Sequence, residues 1–291
     1  MKSEITKVLV VITVFYAIRF FVLWTQNVNN NLSIKVLDVG QGDAILINSG
    51  NSGSMLIDGG DNWDVDWYLS KQFVFPRCNI NALVVTHPHA DHLYGINRIL
   101  KRCKPNLVTF NDVYYSSKLS EVFLENIQHL SSDKKITNFN FAHLKSGDTF
   151  YFGKVKFIVL WPDETFLKNA TYLNNINDIS TVLLLDAGKF EALFTGDLSG
   201  EIFSKIDKEL YKKHIDGDLE ILKVPHHGSA DGRNIDFYRS LSPRYCVISV
   251  GLDNRYRHPD KRQVEDLEQV GCKVVRTDIS GTIEFNISGV L

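Results

Sequence analysis

The sequence predicts a mixed α/β (α+β) domain preceded by an apolar N-terminal segment. Three observations carry that prediction. Short runs rich in valine, isoleucine and leucine recur along the chain, separated by glycine turns or by stretches of helical length. Residues of metal-ligand type stand just after several of these runs, where loops leave a rigid sheet. A single long apolar run, Val8 to Trp24, sits ahead of all of them.

At 291 residues the chain can bury one large core. Its 44% apolar and 23% charged content is that of a soluble globular protein. Lys plus Arg number 32 against 34 Asp plus Glu, so a nucleic-acid role would have to rest on a local patch. Cys78, Cys103, Cys246 and Cys272 are widely spaced, and no CxxC pair supports a zinc finger or a redox motif. Disulfides are open to an exported domain; buried free thiols are the expected state.

The Val8–Trp24 run is apolar except for Thr13 and Arg19, and Lys2 and Lys7 precede it. That suits a signal peptide or a signal anchor, and a helix packed on the domain is the competing reading. No small-x-small cleavage site follows, so an uncleaved anchor is expected, with a polar linker at Asn27–Asn31. The leading lysines place the domain outside the cytoplasm.

Strands are then expected at Ile34–Val39, Ala44–Asn48 and Met55–Asp58, joined by glycine turns. A helix at Trp63–Val74 precedes the strand Ala82–Val85, and another spans Gly95–Lys101. Leu107–Phe110 and Ile136–Phe139 read as strands around a helix at Leu119–Leu130. Asp148–Phe152 and Lys156–Leu160 form a hairpin, and Pro162–Asn177 an exposed loop. Ile179–Asp186 and Phe190–Thr195 make a second hairpin, followed by a helix at Ile202–Tyr211. Strands at Ile221–Val224 and Tyr245–Val250, helices at Ile235–Leu241 and Arg262–Val270, and strands at Lys273–Arg276 and Thr282–Ile287 close the chain. With no repeat or low-complexity linker, residues 32–291 are expected to form one unit after residues 1–31.

Thr86-His87-Pro88-His89-Ala90-Asp91-His92 packs three imidazoles and a carboxylate onto a loop leaving a strand, a ligand set suited to a catalytic ion. Pro88 prevents a helix from running through it. Asp197 stands at the tip of Phe190–Thr195, His226 and His227 follow Ile221–Val224, and His258 lies beyond Tyr245–Val250. Each of these later positions alone is also compatible with an ordinary turn. Asp58 ends a strand from which it could orient a ligand histidine. The turn Asp38–Ala44 suits close approach to a ligand or a plain hairpin equally.

These motifs, with Leu56–Gly60, Thr195–Asp197, Leu222–Ser229, Asn254–Pro259 and Arg276–Asp278, resemble the metallo-β-lactamase fold of hydrolases. They are most similar to the C-terminal domain of the ComEC family of competence DNA-uptake proteins. The resemblance implies a four-layer αββα sandwich over about residues 33–287, with two divalent ions, zinc or manganese, along one edge. It implies that His87 and His89 bind one ion, Asp91 and His92 the other, that Asp197 bridges and that His226 completes the second site. His227 and His258 become candidates for an extra ligand, a transition-state donor or a proton source. Where many members of the superfamily supply another histidine, this chain has Asn177-Asp178-Ile179-Ser180. Asp178 or water would then fill that place, with Ser180 beside the ligands.

A hydroxide held between two ions suits phosphodiester hydrolysis, with Asp91 in the reacting centre. Lys223, Arg255 and Arg257, with Arg233 and Lys261 nearby, are the cations expected to meet phosphate. The expected function is therefore a metal-dependent phosphodiesterase or nuclease acting on DNA outside the membrane, held through residues 8–24 and serving competence machinery. A lactone or β-lactam hydrolase and a non-enzymatic DNA-binding module are the alternatives.

Overall fold

Leu32–Val36 alternates buried and half-buried side chains, the period of two that lets one strand face serve a core. The computed structural model describes residues 12–20, 31–72, 78–113, 115–133, 136, 138–170, 175–215 and 217–290. Its strands are β1 Leu32–Val36, β2 Ile45–Ser49, β3 Ser54–Ile57, β4 Ile80–Val84, β5 Leu107–Phe110, β6 Asn140–His143 and β7 Thr149–Phe152. They continue as β8 Val155–Trp161, β9 Val182–Asp186, β10 Glu191–Phe194, β11 Ile221–Lys223, β12 Tyr245–Ile248, β13 Lys273–Arg276 and β14 Ile283–Ile287.

These strands form two seven-stranded sheets, ordered β14-β1-β2-β3-β4-β5-β6 and β13-β12-β11-β10-β9-β8-β7. The last strand closes on the first, with Leu32 opposite Ile287 and Val36 opposite Ile283. Strands β3 to β6 run parallel, as do β10 to β13, so each sheet has one end where several strand tips point the same way. Loops carrying chemistry gather at such carboxyl ends.

Three apolar clusters define the layers. Ile34, Ile47, Val84, Phe157, Phe194 and Val247 come from both sheets and fill the space between them. Leu46, Leu56 and Leu83 pack outward on Leu93, Ile96 and Phe123 from the helices Ala90–Arg102 and Lys118–Ser132. Leu193, Leu222 and Ile248 do the same with Phe237, Leu241 and Leu267 from the helices Ile235–Leu241 and Lys261–Gln269. Helix, sheet, sheet and helix are thus the four layers. The helix Ala90–Arg102 starts earlier than expected, two residues after Pro88, and buries His92, Leu93, Ile96, Ile99 and Leu100 on one face.

Several expectations need correction. The strand expected at Ile136–Phe139 lies at Asn140–His143, where Asn140 sits opposite Leu107; Ile136 packs with the helical layer instead. The expected loop Pro162–Asn177 holds a helix at Glu164–Lys168, capped by the Asp163 side chain accepting from Phe166 N. It also reaches into a 3-10 turn at Ile176–Ile179. The helix expected over Ile202–Tyr211 is two pieces, Ile202–Lys205 and Lys208–Lys212, because Asp207 caps the second by accepting from Glu209 N. The cysteines are not free thiols: Cys78 pairs with Cys103 and Cys246 with Cys272. Sequence spacing concealed both pairs. The first joins the approach to β4 to the end of the helix that follows it; the second joins β12 to the residue before its neighbour β13.

Residues 12–20 are helical with exposed side chains, and the remainder of the Val8–Trp24 run lies outside the described residues. Among the described residues no helix is long and apolar enough to cross a membrane, so the expected anchor is not borne out by them.

Candidate metal centre

Strand β3 delivers Asp58 in a left-handed conformation, φ 56°, at its tip. Its carboxylate accepts from Thr86 N at 2.8 Å and Thr86 Oγ1 at 2.7 Å, and lies 2.8 Å from His92 Nδ1. An imidazole held through Nδ1 presents Nε2 to whatever lies beyond, the arrangement that orients a metal-binding histidine. His227 is held likewise, its Nδ1 donating to the Ser249 carbonyl at 2.9 Å.

Both freed nitrogens face Asp197. His92 Nε2 is 3.2 Å and His227 Nε2 3.3 Å from Asp197 Oδ2, and Asp91 Oδ2 is 3.3 Å from His227 Nε2. One ligand atom from each of Asp91, His92, Asp197 and His227 falls within a common 4.8 Å. His92 Nε2, His227 Nε2 and Asp197 Oδ1 are buried and make no hydrogen bond among the described residues. Buried polar atoms are rarely left so, and here they converge as a divalent cation would require. The donor set therefore fits a metal ion.

The electrostatics agree. Burial by itself would depress the His92 imidazole, but the Asp197 and Asp58 carboxylates overcome it and hold it well above the usual range. Burial acts likewise on His227, and Asp197 reverses it. Burial would raise the Asp197 carboxyl, yet His227 and His92 hold it well below the ordinary value. Burial would raise Asp91 as well, yet the neighbouring His227 and His92 hold its carboxyl low. A site that binds positive charge this strongly through protons offers the same charge balance to a metal.

His87 and His89 lie beside this group. His87 Nε2 is 3.2 Å from His89 Nδ1, and the His87 and His92 ring centroids are 4.2 Å apart. His87 Nδ1 is engaged by Thr86 Oγ1 at 3.1 Å and Ser180 Oγ at 3.3 Å. Ser180 also accepts from Asp197 N at 3.1 Å, so one hydroxyl ties the two strand tips together. Burial pushes the His87 and His89 imidazoles down, keeping their lone pairs available.

The loop Pro225–Gly228 places His226 and His227 in successive left-handed conformations, φ 50° and 53°. Each costs roughly 1–2 kcal/mol for a residue with a Cβ. The geometry reverses the expected roles of this pair. His227, not His226, completes the group with Asp91, His92 and Asp197. His226 Nε2 stands 3.9 Å from Asp197 Oδ2 and 3.4 Å from Asn177 Nδ2. Asp178 does not fill the missing ligand place, because its carboxylate accepts from Ser199 and its carbonyl from Trp161 Nε1. His258 stands outside the ligand group, edge-on to His226 at 5.9 Å and stacked on Tyr256 at 5.7 Å.

Of the expected phosphate-binding cations, Lys223 is corrected. It is fully buried, paired with Asp43 and donating to the Gly196 carbonyl at 3.3 Å, so no substrate can reach it. Arg233 is likewise committed, to Asp266. Arg257 is exposed in a left-handed turn, and Lys261 pairs with Glu265 at 3.3 Å. Arg255 lines a cleft of about 980 Å³ that reaches Asp91 and includes Asp38, Asp61, Asp64, Trp67 and Tyr256.

Asp43, in the Asp38–Ala44 turn, and Asn177, in the stretch where a further histidine is missing, were given no role of their own by the sequence. Asp43 follows Gly42, whose φ of 121° lets the turn press against the Asp91 carbonyl; a Cβ there would sit 2.3 Å from that oxygen. The Gly-Asp step beyond a strand, repeated at Gly196-Asp197, was the available signal.

The fold and this centre define a class. The metallo-beta-lactamase superfamily model matches residues 37–174, and nearly the whole chain is similar to competence proteins. It is 24% identical to ComE operon protein 3 of Bacillus subtilis (strain 168), covering 98% of this chain and 37% of that protein. It is 26% identical to competence protein ComA of Neisseria gonorrhoeae, covering 89% of this chain and 33% of that protein. The chain thus spans about a third of the length of these relatives. Tm1679, a metal-dependent hydrolase of the beta-lactamase superfamily, shares the fold at TM-score 0.55 and 13% identity, over 89% of this chain and 100% of its own.

Proposed function

We propose that this protein is a metal-dependent phosphodiesterase that cleaves DNA on the extracytoplasmic side of a membrane. The observation that carries the reading is the Asp197 carboxylate set between His92 Nε2 and His227 Nε2, with Asp91 alongside, at the edge of an Arg255-lined cleft. In this reading Asp91, His92, Asp197 and His227 hold one divalent ion, zinc or manganese, and His87 and His89 stand at another. Bound ions would supply Lewis acidity toward a phosphodiester and toward the attacking water.

The chain's own residues do the remaining work. Asp58 and the Ser249 carbonyl fix the two imidazoles, so the centre is organised before substrate arrives. Arg255, and Arg257 on the same loop, would hold phosphate oxygens as charge builds. His258, whose backbone is clamped by Asn254 at 2.7 and 2.9 Å, is the group offered as proton donor to the leaving oxygen. Asp38, Asp61 and Asp64 repel phosphate from their part of the cleft, which directs the nucleic-acid backbone to the Arg255 side. Trp67 and Tyr256, 59% and 49% exposed, offer faces to bases there.

Two disulfides favour an oxidising compartment, consistent with an anchor through residues 8–24. The names of the relatives favour service to competence machinery. The same three carboxylates favour a second reading, hydrolysis of an uncharged ester or amide such as a lactone or β-lactam.

The test is the full chain, reconstituted with zinc or manganese, against DNA, a small phosphodiester, an uncharged ester and a lactam. Cleavage of DNA that weakens with rising salt is expected. Arg255→Ala with Arg257→Ala should cut DNA cleavage at least tenfold while sparing the uncharged ester. Lactam turnover without DNA cleavage would move the assignment to the second reading, and DNA binding without turnover would make the chain a binding module.

A further inference from the structure

We propose that the exposed face of the helix Asp64–Gln72 is a binding track for single-stranded DNA, on which Trp67 and Trp63 are successive stacking platforms leading away from the metal centre. This deepens the phosphodiesterase reading and rests on it for the identity of the polymer.

The first ground is exposure. Of the chain's four tryptophans, one stands on this short helix and another immediately before it, Trp67 59% and Trp63 60% exposed. Large aromatic rings left together in water forgo their burial, and such patches mark binding surfaces. The second ground is charge. Lys71 Nζ lies 3.3 Å from the Trp67 ring centroid, and the Arg98 guanidinium carbon lies 3.2 Å from that of Trp63. A cation over one face steadies each ring, and the exposure that remains belongs to the other face and the edges. A flat ring with a positive charge beside it serves both parts of a nucleotide, the base and the phosphate. Asp66 does not cancel this charge, because it is one carboxylate shared between Arg102 at 2.7 Å and Arg98 at 3.8 Å.

The third ground is continuity and register. Trp67 lines the same cleft as Asp91 and Arg255, so the helix face begins where the metal centre opens. Trp67 N donates to the Trp63 carbonyl at 3.1 Å, which sets the two residues one helical turn apart. That is roughly 6 Å along the axis, against roughly 3.4 Å between successive bases of one duplex strand. Neighbouring bases reach both rings only in a strand that is unpaired and drawn out. Asp61 and Asp64 also line the cleft and repel phosphate, so the backbone is driven toward Lys71 and Arg98 while the bases turn to the rings. A lipid surface also takes exposed tryptophans flanked by cations. Continuity with the cleft, and the two aspartates that an anionic bilayer would have to meet, favour the strand.

The experiment is binding of dye-labelled DNA to the full chain, read by anisotropy with metal chelated so that no cleavage enters. It is repeated as cleavage with zinc or manganese restored. A single strand of about twelve nucleotides should bind about tenfold tighter, or more, than a duplex of the same length. Trp63→Ala and Trp67→Ala should each weaken single-strand binding by about 5- to 150-fold, the loss of one stacked base. Trp63→Phe keeps a ring and should stay within about threefold of wild type. Lys71→Ala should reduce the slope of affinity against salt by about one. In cleavage, the loss in Trp63→Ala should be greater on the long strand than on a dinucleotide too short to span both rings. Thermal unfolding of each variant confirms the fold. Equal affinity for strand and duplex, or unchanged single-strand binding in Trp63→Ala, would overturn the proposal. So would tryptophan variants that lose binding to phosphatidylglycerol vesicles and keep binding to DNA, since the face would then be a membrane seat. Tryptophan-dependent strand binding without cleavage leaves the proposal standing and refutes the nuclease reading, whereas DNA cleavage indifferent to both tryptophans does the reverse.

Discussion

Lys223→Met isolates the electrostatic support beneath the metal centre. The lysine is fully buried and contacts Asp43, which is also buried and lies 3.4 Å from His227 Nδ1. Burial alone would raise the Asp43 carboxyl, but the Lys223 charge, with help from His227 and His92, holds it below its ordinary value. Methionine preserves the bulk and removes the cation, leaving a buried carboxylate without its main counter-charge. Breaking a buried pair from one side costs about 3–5 kcal/mol. The lost hydrogen bond to the Gly196 carbonyl adds about 1 kcal/mol. The melting temperature should fall by on the order of 10 °C. Asp43→Asn combined with Lys223→Met should recover much of the loss, since the uncompensated charge is then gone. The pH dependence has a definite sign. Asp43 is depressed in the folded protein, so its pairing contributes stability above its unfolded value of 3.8 and loses it as pH falls through the folded value. The deficit of Lys223→Met should therefore be full at neutral pH and shrink in acid. Calorimetric or circular-dichroism melts at several pH values measure this. A single variant within 1 kcal/mol of wild type, or a double variant no better than Lys223→Met, would refute the reasoning.

Three further outcomes are expected. Asp58→Asn, which still tolerates the left-handed backbone, should weaken metal binding about 10–100-fold by releasing His92 Nδ1, measured by competition with a chelator. Replacing both cysteines of Cys78–Cys103, or of Cys246–Cys272, should cost about 3 kcal/mol, because each bridge closes a loop of similar length, 25 and 26 residues; urea unfolding in matched redox buffers checks it. A reporter fused after Leu291 should be active only outside the cytoplasm, and activity confined to the cytoplasm would reject the proposed topology.

Most of the strand pattern was legible in the chain itself, because a strand with one face in a core must alternate and its turns need glycine. Ile34, Val36, Ile45 and Ile47 show that logic without reference to any partner. The ligand cluster from His87 to His92 was legible for a related reason: four donors on one short loop need no distant partner to be noticed. Helix limits were less so where capping competed, as Asp163 and Asp207 show.

What only the tertiary structure decided were the identities that depend on direction and enclosure. Adjacent His226 and His227 are indistinguishable as letters; the left-handed turn after β11 sends one to Asp91 and Asp197 and the other to Asn177. Lys223, beside the histidines in sequence, reads as a phosphate contact, yet a residue at the end of a central strand points inward, where Asp43 from the turn between β1 and β2 meets it. The cysteines pair because strand order, not spacing, brings their segments together. Sequence alone determined which chemistry this chain carries and roughly where along it; the packing of two sheets determined which atoms face one another, because side-chain direction and burial exist only once strands from distant segments share an edge.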